Sequence, residues 1–152
     1  MGKFAKNFGA SLLLYFVISF LGFMAFWIFQ EATRVPYIII HTVRPRIVPV
    51  WVYGILWGHI IISITLCFFM GTKLKTFGNH LLNFLSVSGS LLVGLWIMHV
   101  GSYMLILAPF SFLMLAWIIY ENTNSIYIAI TVISLLPPLI TSLGIMYKSR
   151  QE

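Results

Sequence analysis

The sequence predicts an all-α membrane protein, a bundle of five transmembrane helices, and three observations carry that prediction. Of the 152 residues, 61% are hydrophobic and only 8% charged, whereas a soluble domain is about one quarter charged. Its apolar residues fall in runs of the roughly 20 residues that a spanning helix needs. One run, residues 81–120, carries no charge over twice that length and must therefore double back.

Taken in order, the first run covers about 8–29 and ends at the polar pair Gln30-Glu31. No small-x-small cleavage pattern follows it, so it reads as a helix and not as a signal peptide. The second, about 50–70, ends at Gly71-Thr72-Lys73. The long uncharged stretch divides at His99-Val100-Gly101-Ser102 into helices at about 81–99 and 103–120. The last helix, about 126–147, follows the polar turn Glu121-Asn122-Thr123-Asn124, and Pro137-Pro138 inside it predicts a kink. The whole chain, 1–152, forms a single transmembrane domain.

The connection 30–49 is long for a bundle. Pro36, Pro45 and Pro49 exclude continuous helix. Tyr37-Ile38-Ile39-Ile40 is too apolar for a solvated loop, so the segment is expected to lie at the interface or over the mouth of the bundle.

The formal charge of +6 comes from basic residues scattered at the ends of the apolar runs. That placement points to lipid headgroups and away from nucleic acid. Five alternating crossings put the two ends of the chain on opposite faces. One face then holds Arg34, Arg44, Arg46, Lys148 and Arg150, the other Lys3, Lys6, Lys73 and Lys75. The margin of one favours a cytoplasmic C-terminus.

Catalytic chemistry finds little material. The acids are Glu31, Glu121 and Glu152, none within a predicted span, and no nucleophile–base–acid set is available. No catalytic residue is assigned, and a proton-coupled transporter is disfavoured. His41, His59, His80 and His99 show no metal-ligand spacing, so no metal site is expected. Haem held between two histidines would need His59 and His99 at matching depth. Within a span, His59 is the ionisable residue to suspect of function. Cys67 is alone, so no internal disulfide forms.

Gly54 and Gly58 on the second helix, and Ser86, Ser88, Gly89 and Ser90 on the third, are expected to serve close helix packing. Trp27, Trp51, Trp96 and Trp117 lie near run ends, as an aromatic belt requires. Trp57 lies two turns inside its helix beside the glycines, either as core or as the wall of a ligand slot.

Residues 44–57, RPRIVPVWVYGILW, resemble the signature of the tryptophan-rich sensory protein (translocator protein, TspO/MBR) family, approximately K-P-x-W-x-P-P-x-W-V-F-G-x-V-W. Arg44, Pro45, Pro49, Trp51, Val52, Tyr53, Gly54 and Trp57 answer it. Asn83 resembles the family's asparagine at the start of helix three, and Pro137 its fifth-helix proline. Leu143, Tyr147 and Arg150 fit the loose cholesterol pattern. The pattern is departed from at Ile47, at residues 86–92 and at Thr141, where the family has tryptophans or an aromatic run.

The resemblance implies five helices and a receptor or transport role, with no enzyme activity carried over. The ligand it implies is a small, flat, apolar molecule such as a porphyrin or sterol; haem or porphyrin enters as ligand and not as resident cofactor. The site it implies comprises Trp57, Trp51, Tyr53, Asn83, Pro49, Arg44 and Arg46. There the indoles stack on the ligand, Asn83 supplies a directed hydrogen bond, and an arginine meets a carboxylate at the mouth. The expected partners are this ligand and the bilayer, with a homodimer left open. The alternative is a non-catalytic accessory subunit of a larger membrane complex, its tryptophans and glycines serving as contacts.

Overall fold

The computed structural model describes residues 2–33, 50–89, 91–92 and 113–151. Among them every regular element is helical: α1 (Gly2–Thr33), α2 (Val50–Lys73), α3 (His80–Ser86), α4 (Leu113–Thr123) and α5 (Ile126–Ser149). Segments 2–25 and 126–149 are long and apolar enough to cross a membrane. The 30–49 loop from residue 34 onward, and the turn expected at 99–102, lie outside the described residues.

Local chemistry sets the helix ends. Asn79 caps α3, its side-chain oxygen accepting from Leu81 N–H at 2.8 Å. Asn124 closes the α4–α5 turn in the left-handed region, φ 51°, a conformation its short polar side chain tolerates. Ser125 then caps α5, accepting from Ile128 N–H. Both prolines lie inside α5, which runs through them from Ile126 to Ser149.

Two buried clusters give the helix directions. Nearest the α2–α3 loop, Leu74, Val87 and Ile145 pack with Ala10 and Met70. Further in, Leu14 and Ile18 of α1 meet Ile60 and Cys67 of α2 and Ala129 and Ile133 of α5, with Leu115, Ile119 and Tyr120 of α4 against them. Moving from the first cluster to the second, numbering rises along α1 and falls along α2 and α5. So α2 and α5 run parallel to each other and antiparallel to α1. Gly89 packs on Ser11 and Leu12, and Asn7 bonds Ser86, so α3 starts at the same end as α1.

This geometry corrects an expectation. The first turns of α1 and the last turns of α5 sit at one end of the bundle, both tied to the α2–α3 loop: Asn7 bonds the Lys75 backbone, and Lys148 Nζ donates to Leu74 O at 3.4 Å. Five alternating crossings would separate them. α3 starts at that end and α4 finishes beside the start of α5 at the other; residues 93–112 between them, with the hairpin expected there, lie outside the described residues.

The closest helix contact is between α2 and α5. A Cβ on Gly71 would strike Thr141 O and lie 2.9 Å from Gly144 Cα; one on Gly144 would strike Phe68 O and lie 3.0 Å from Gly71 Cα. Backbone meets backbone there, which only glycine permits. The expected packing glycines behave differently: a Cβ on Gly54 or Gly58 meets nothing within 4 Å among the described residues. Ser86, Ser88 and Gly89 are buried as packing residues should be.

Candidate functional site

Of the residues named from sequence, the two whose side chains are described, Trp57 and Asn83, lie far apart. Trp57 stands on α2 and is 41% exposed. Asn83 is 2% exposed on α3, near the other end of the bundle. Sixteen residues of α2 separate the level of Trp57 from that of Lys73, about 24 Å at 1.5 Å per residue, so the two cannot line one pocket. Trp51 and Tyr53 lie in α2 with their side chains outside the described set, and Arg44, Arg46 and Pro49 are outside it altogether.

Asn83 has a different occupation. Its Oδ1 accepts from Phe77 N–H at 2.8 Å and its Nδ2 donates to Phe77 O at 3.0 Å. Asn7, 1% exposed, treats Lys75 the same way: Oδ1 accepts from Lys75 N–H at 3.2 Å while Nδ2 donates to Lys75 O at 2.8 Å and to Ser86 Oγ at 3.2 Å. Two buried carboxamides thus satisfy the backbone of a loop that has no strand or helix partner. The hydrogen bond expected from Asn83 to a ligand is directed to Phe77 instead.

The bundle interior holds a second polar set, and it is unlike the first. Tyr15 Oη, Ser19 Oγ, His59 Nε2, Ser63 Oγ and Ser134 Oγ are all buried without a hydrogen-bond partner within 3.5 Å among the described residues, although Tyr15 Oη and Ser19 Oγ lie close enough to interact with each other. They sit on three helices. Tyr15 and Ser19 are one turn apart on α1, His59 and Ser63 one turn apart on α2, and Ser134 is on α5. Each neighbours a member of the inner cluster, Ile18, Ile60 or Ile133. Counting about 1.5 Å per residue from Asn7, Lys73 and Lys148, they lie roughly 12 to 21 Å from the α2–α3 end.

Two features set the chemistry of this layer. His59 Nδ1 lies 3.4 Å from Ile55 O, a carbonyl that can only accept, so Nδ1 is the donor in that contact. On α5, Pro137 and Pro138 have no N–H, so the carbonyls of Ile133 and Ser134 lose their i+4 donors. The layer therefore holds an imidazole nitrogen, a phenol and three serine hydroxyls. A buried polar group without a partner costs about 1–3 kcal/mol. Five buried atoms of this kind in one region call for an explanation.

The sequence reading had singled out His59 but missed Tyr15, Ser19, Ser63 and Ser134. A signal was present: two i, i+4 polar pairs in otherwise apolar helices, and a serine one turn before a double proline. Among the described residues no group of three or more metal-ligating side chains occurs. Comparison with protein-family models, curated proteins and solved structures finds no match.

Proposed function

We propose that the chain is a multi-pass, non-catalytic membrane protein that takes a small, largely apolar molecule into the layer between α1, α2 and α5. Its partition of residues supports the membrane setting. Leu13, Phe16, Phe20, Ile61, Ile62, Phe69 and Leu143 are exposed, while Asn7, Ser11, Ser63, Asn83, Ser86, Ser134 and Thr141 are buried. That is the reverse of a soluble core, and it suits lipid outside with polar contacts between helices.

The observation that carries the ligand reading is the set of unpartnered polar atoms at matching depth on three helices. A ligand for this layer needs an apolar body and one hydrogen-bonding group that both donates and accepts. Among the flat molecules implied by the translocator-family resemblance, a sterol-like alcohol fits better than a porphyrin. A porphyrin brings two carboxylates, and none of the five groups is a fixed cation. The resemblance itself predicts five passes and receives no support from the helix directions.

A photoreactive sterol alcohol tests this. It is expected to label α1, α2 or α5 peptides, to be displaced by the parent alcohol and not by its methyl ether, and to label His59→Leu at least about tenfold less. Equal labelling of His59→Leu, or equal competition by the ether, would refute it. A Soret band on adding haem, lost in His59→Leu, would replace the sterol with haem.

A second reading, the accessory subunit, has one observation in its favour: among the described residues Gly54 and Gly58 leave open space on α2 beside the half-exposed Trp57, a face on which another helix can seat. Gly54→Ile with Gly58→Ile would then abolish a complex seen in mild detergent. A chain that is monomeric before and after the change excludes it.

A further inference from the structure

The helix directions bring together charges that are far apart in sequence. Lys3 and Lys6 open α1, Lys73 ends α2, Lys75 follows in the α2–α3 loop, and Lys148 and Arg150 close α5. All six stand at one end of the bundle, because Asn7 bonds Lys75 and Lys148 bonds Leu74 O. They are six of the nine Lys and Arg residues of the chain. Five of them are exposed and Lys148 is half-buried. The described acids, Glu31 at the end of α1 and Glu121 at the end of α4, stand at the other end and are exposed. Arg34, Arg44 and Arg46 belong to the segment joining α1 to α2 and lie outside the described residues.

We infer that this end faces the cytoplasm and that its basic side chains form a ring that binds the anionic phospholipid headgroups of the inner leaflet. The inference rests on the membrane-spanning reading. Basic residues close to the ends of spanning helices are retained on the cytoplasmic side, and here they outnumber those of the α1–α2 connection six to three. The split of five against four expected from alternating crossings disappears once α1 and α5 share a face.

The geometry selects lipid over a soluble acidic partner. The α2–α3 loop is short and held down by Asn7, Asn83 and Lys148, so nothing described projects to receive a folded protein. Lys73 Nζ lies over the Phe69 ring, 5.2 Å from its centre, so this exposed ammonium is held against an aromatic face at the end of α2. Each such charge gains about 1 kcal/mol at an anionic surface.

Two measurements on the full chain test it. With Cys67→Ala as background, Lys3→Cys, Gln151→Cys and Asn122→Cys are treated with an impermeant maleimide. Asn122→Cys should label in intact cells, and the other two only after permeabilisation. The reverse pattern, or Lys3→Cys and Gln151→Cys labelling on opposite sides, would overturn the orientation. In nanodiscs of mixed phosphatidylglycerol and phosphatidylcholine, the purified protein should retain phosphatidylglycerol preferentially. That preference should fall about tenfold when Lys3, Lys6, Lys73 and Lys75 are all changed to Gln, and should stay unchanged in Glu31→Gln with Glu121→Gln. No preference in the native chain, or one that survives the lysine changes, overturns the lipid ring. A chain washed from membranes by carbonate would instead overturn the spanning reading beneath it.

Discussion

The glycine contact between α2 and α5 gives the sharpest test of the packing. In a helix interior, Gly→Ala favours the helix by about 1 kcal/mol, and that gain is expected wherever the new methyl has room. Gly54 and Gly58 have room: among the described residues nothing lies within 4 Å of a Cβ built on either. Gly71 and Gly144 have none, and what they meet is backbone, Thr141 O and Phe68 O, with the facing Cα atoms 2.9 and 3.0 Å away. An ordinary C···O contact is about 3.3 Å or more, so the helices must part by roughly 1 Å. A gap of about 0.5–1 Å already forfeits a quarter to a half of the dispersion energy across it. Overpacking of this kind costs about 1–3 kcal/mol; at backbone, which cannot rotate away, the upper end applies. Gly144→Ala is therefore expected to destabilise by about 2 kcal/mol net, and Gly71→Ala by a similar amount. The double change should cost less than the sum, because the helices part only once. Reversible unfolding in mixed micelles, followed by circular dichroism, measures all of these against Gly54→Ala and Gly58→Ala. If Gly71→Ala and Gly144→Ala prove as harmless as the other two, the α2–α5 crossing is wrong.

Three further expectations follow from other contacts. Asn7→Ala removes three hydrogen bonds and leaves Lys75 N–H and C=O unpaired; a loss of about 2–3 kcal/mol is expected, with faster hydrogen exchange at the Lys75 amide as the local readout. Asn83→Ala should speed exchange at Phe77 in the same way while leaving ligand labelling of the core unchanged. His59→Leu removes an unpartnered buried nitrogen, so it should stabilise the ligand-free protein by about 1 kcal/mol while weakening labelling; loss of both stability and labelling would make His59 a structural residue only.

The all-helical character was legible in the sequence because it follows from composition and run length, which are local quantities. Helix caps at Asn79 and Ser125 are equally local, since a side chain bonds a backbone N–H two or three residues on. Burial of Ser86, Ser88 and Gly89 was readable too, because small residues in an apolar helix have little use except close contact.

What the sequence could not decide was direction and partnership. Residues 81–120 are long enough for two crossings, and length alone chose the hairpin; the described contacts bring the start of α1 and the end of α5 to one end, which five alternating crossings do not give. Gly54 and Gly58 carry the small-xxx-small spacing and pack against nothing within reach, while Gly71 and Gly144, lacking any motif, meet across 73 residues of chain. Asn83 looked like a ligand's hydrogen-bond donor until Phe77 took its amide. The physical reason is common to all three. Composition and periodicity say what a segment can bury, but which surface it is buried against depends on non-local contacts. Whether a polar side chain is spent on the fold can be settled only by the tertiary structure, as at Asn83, whose amide bonds the Phe77 backbone.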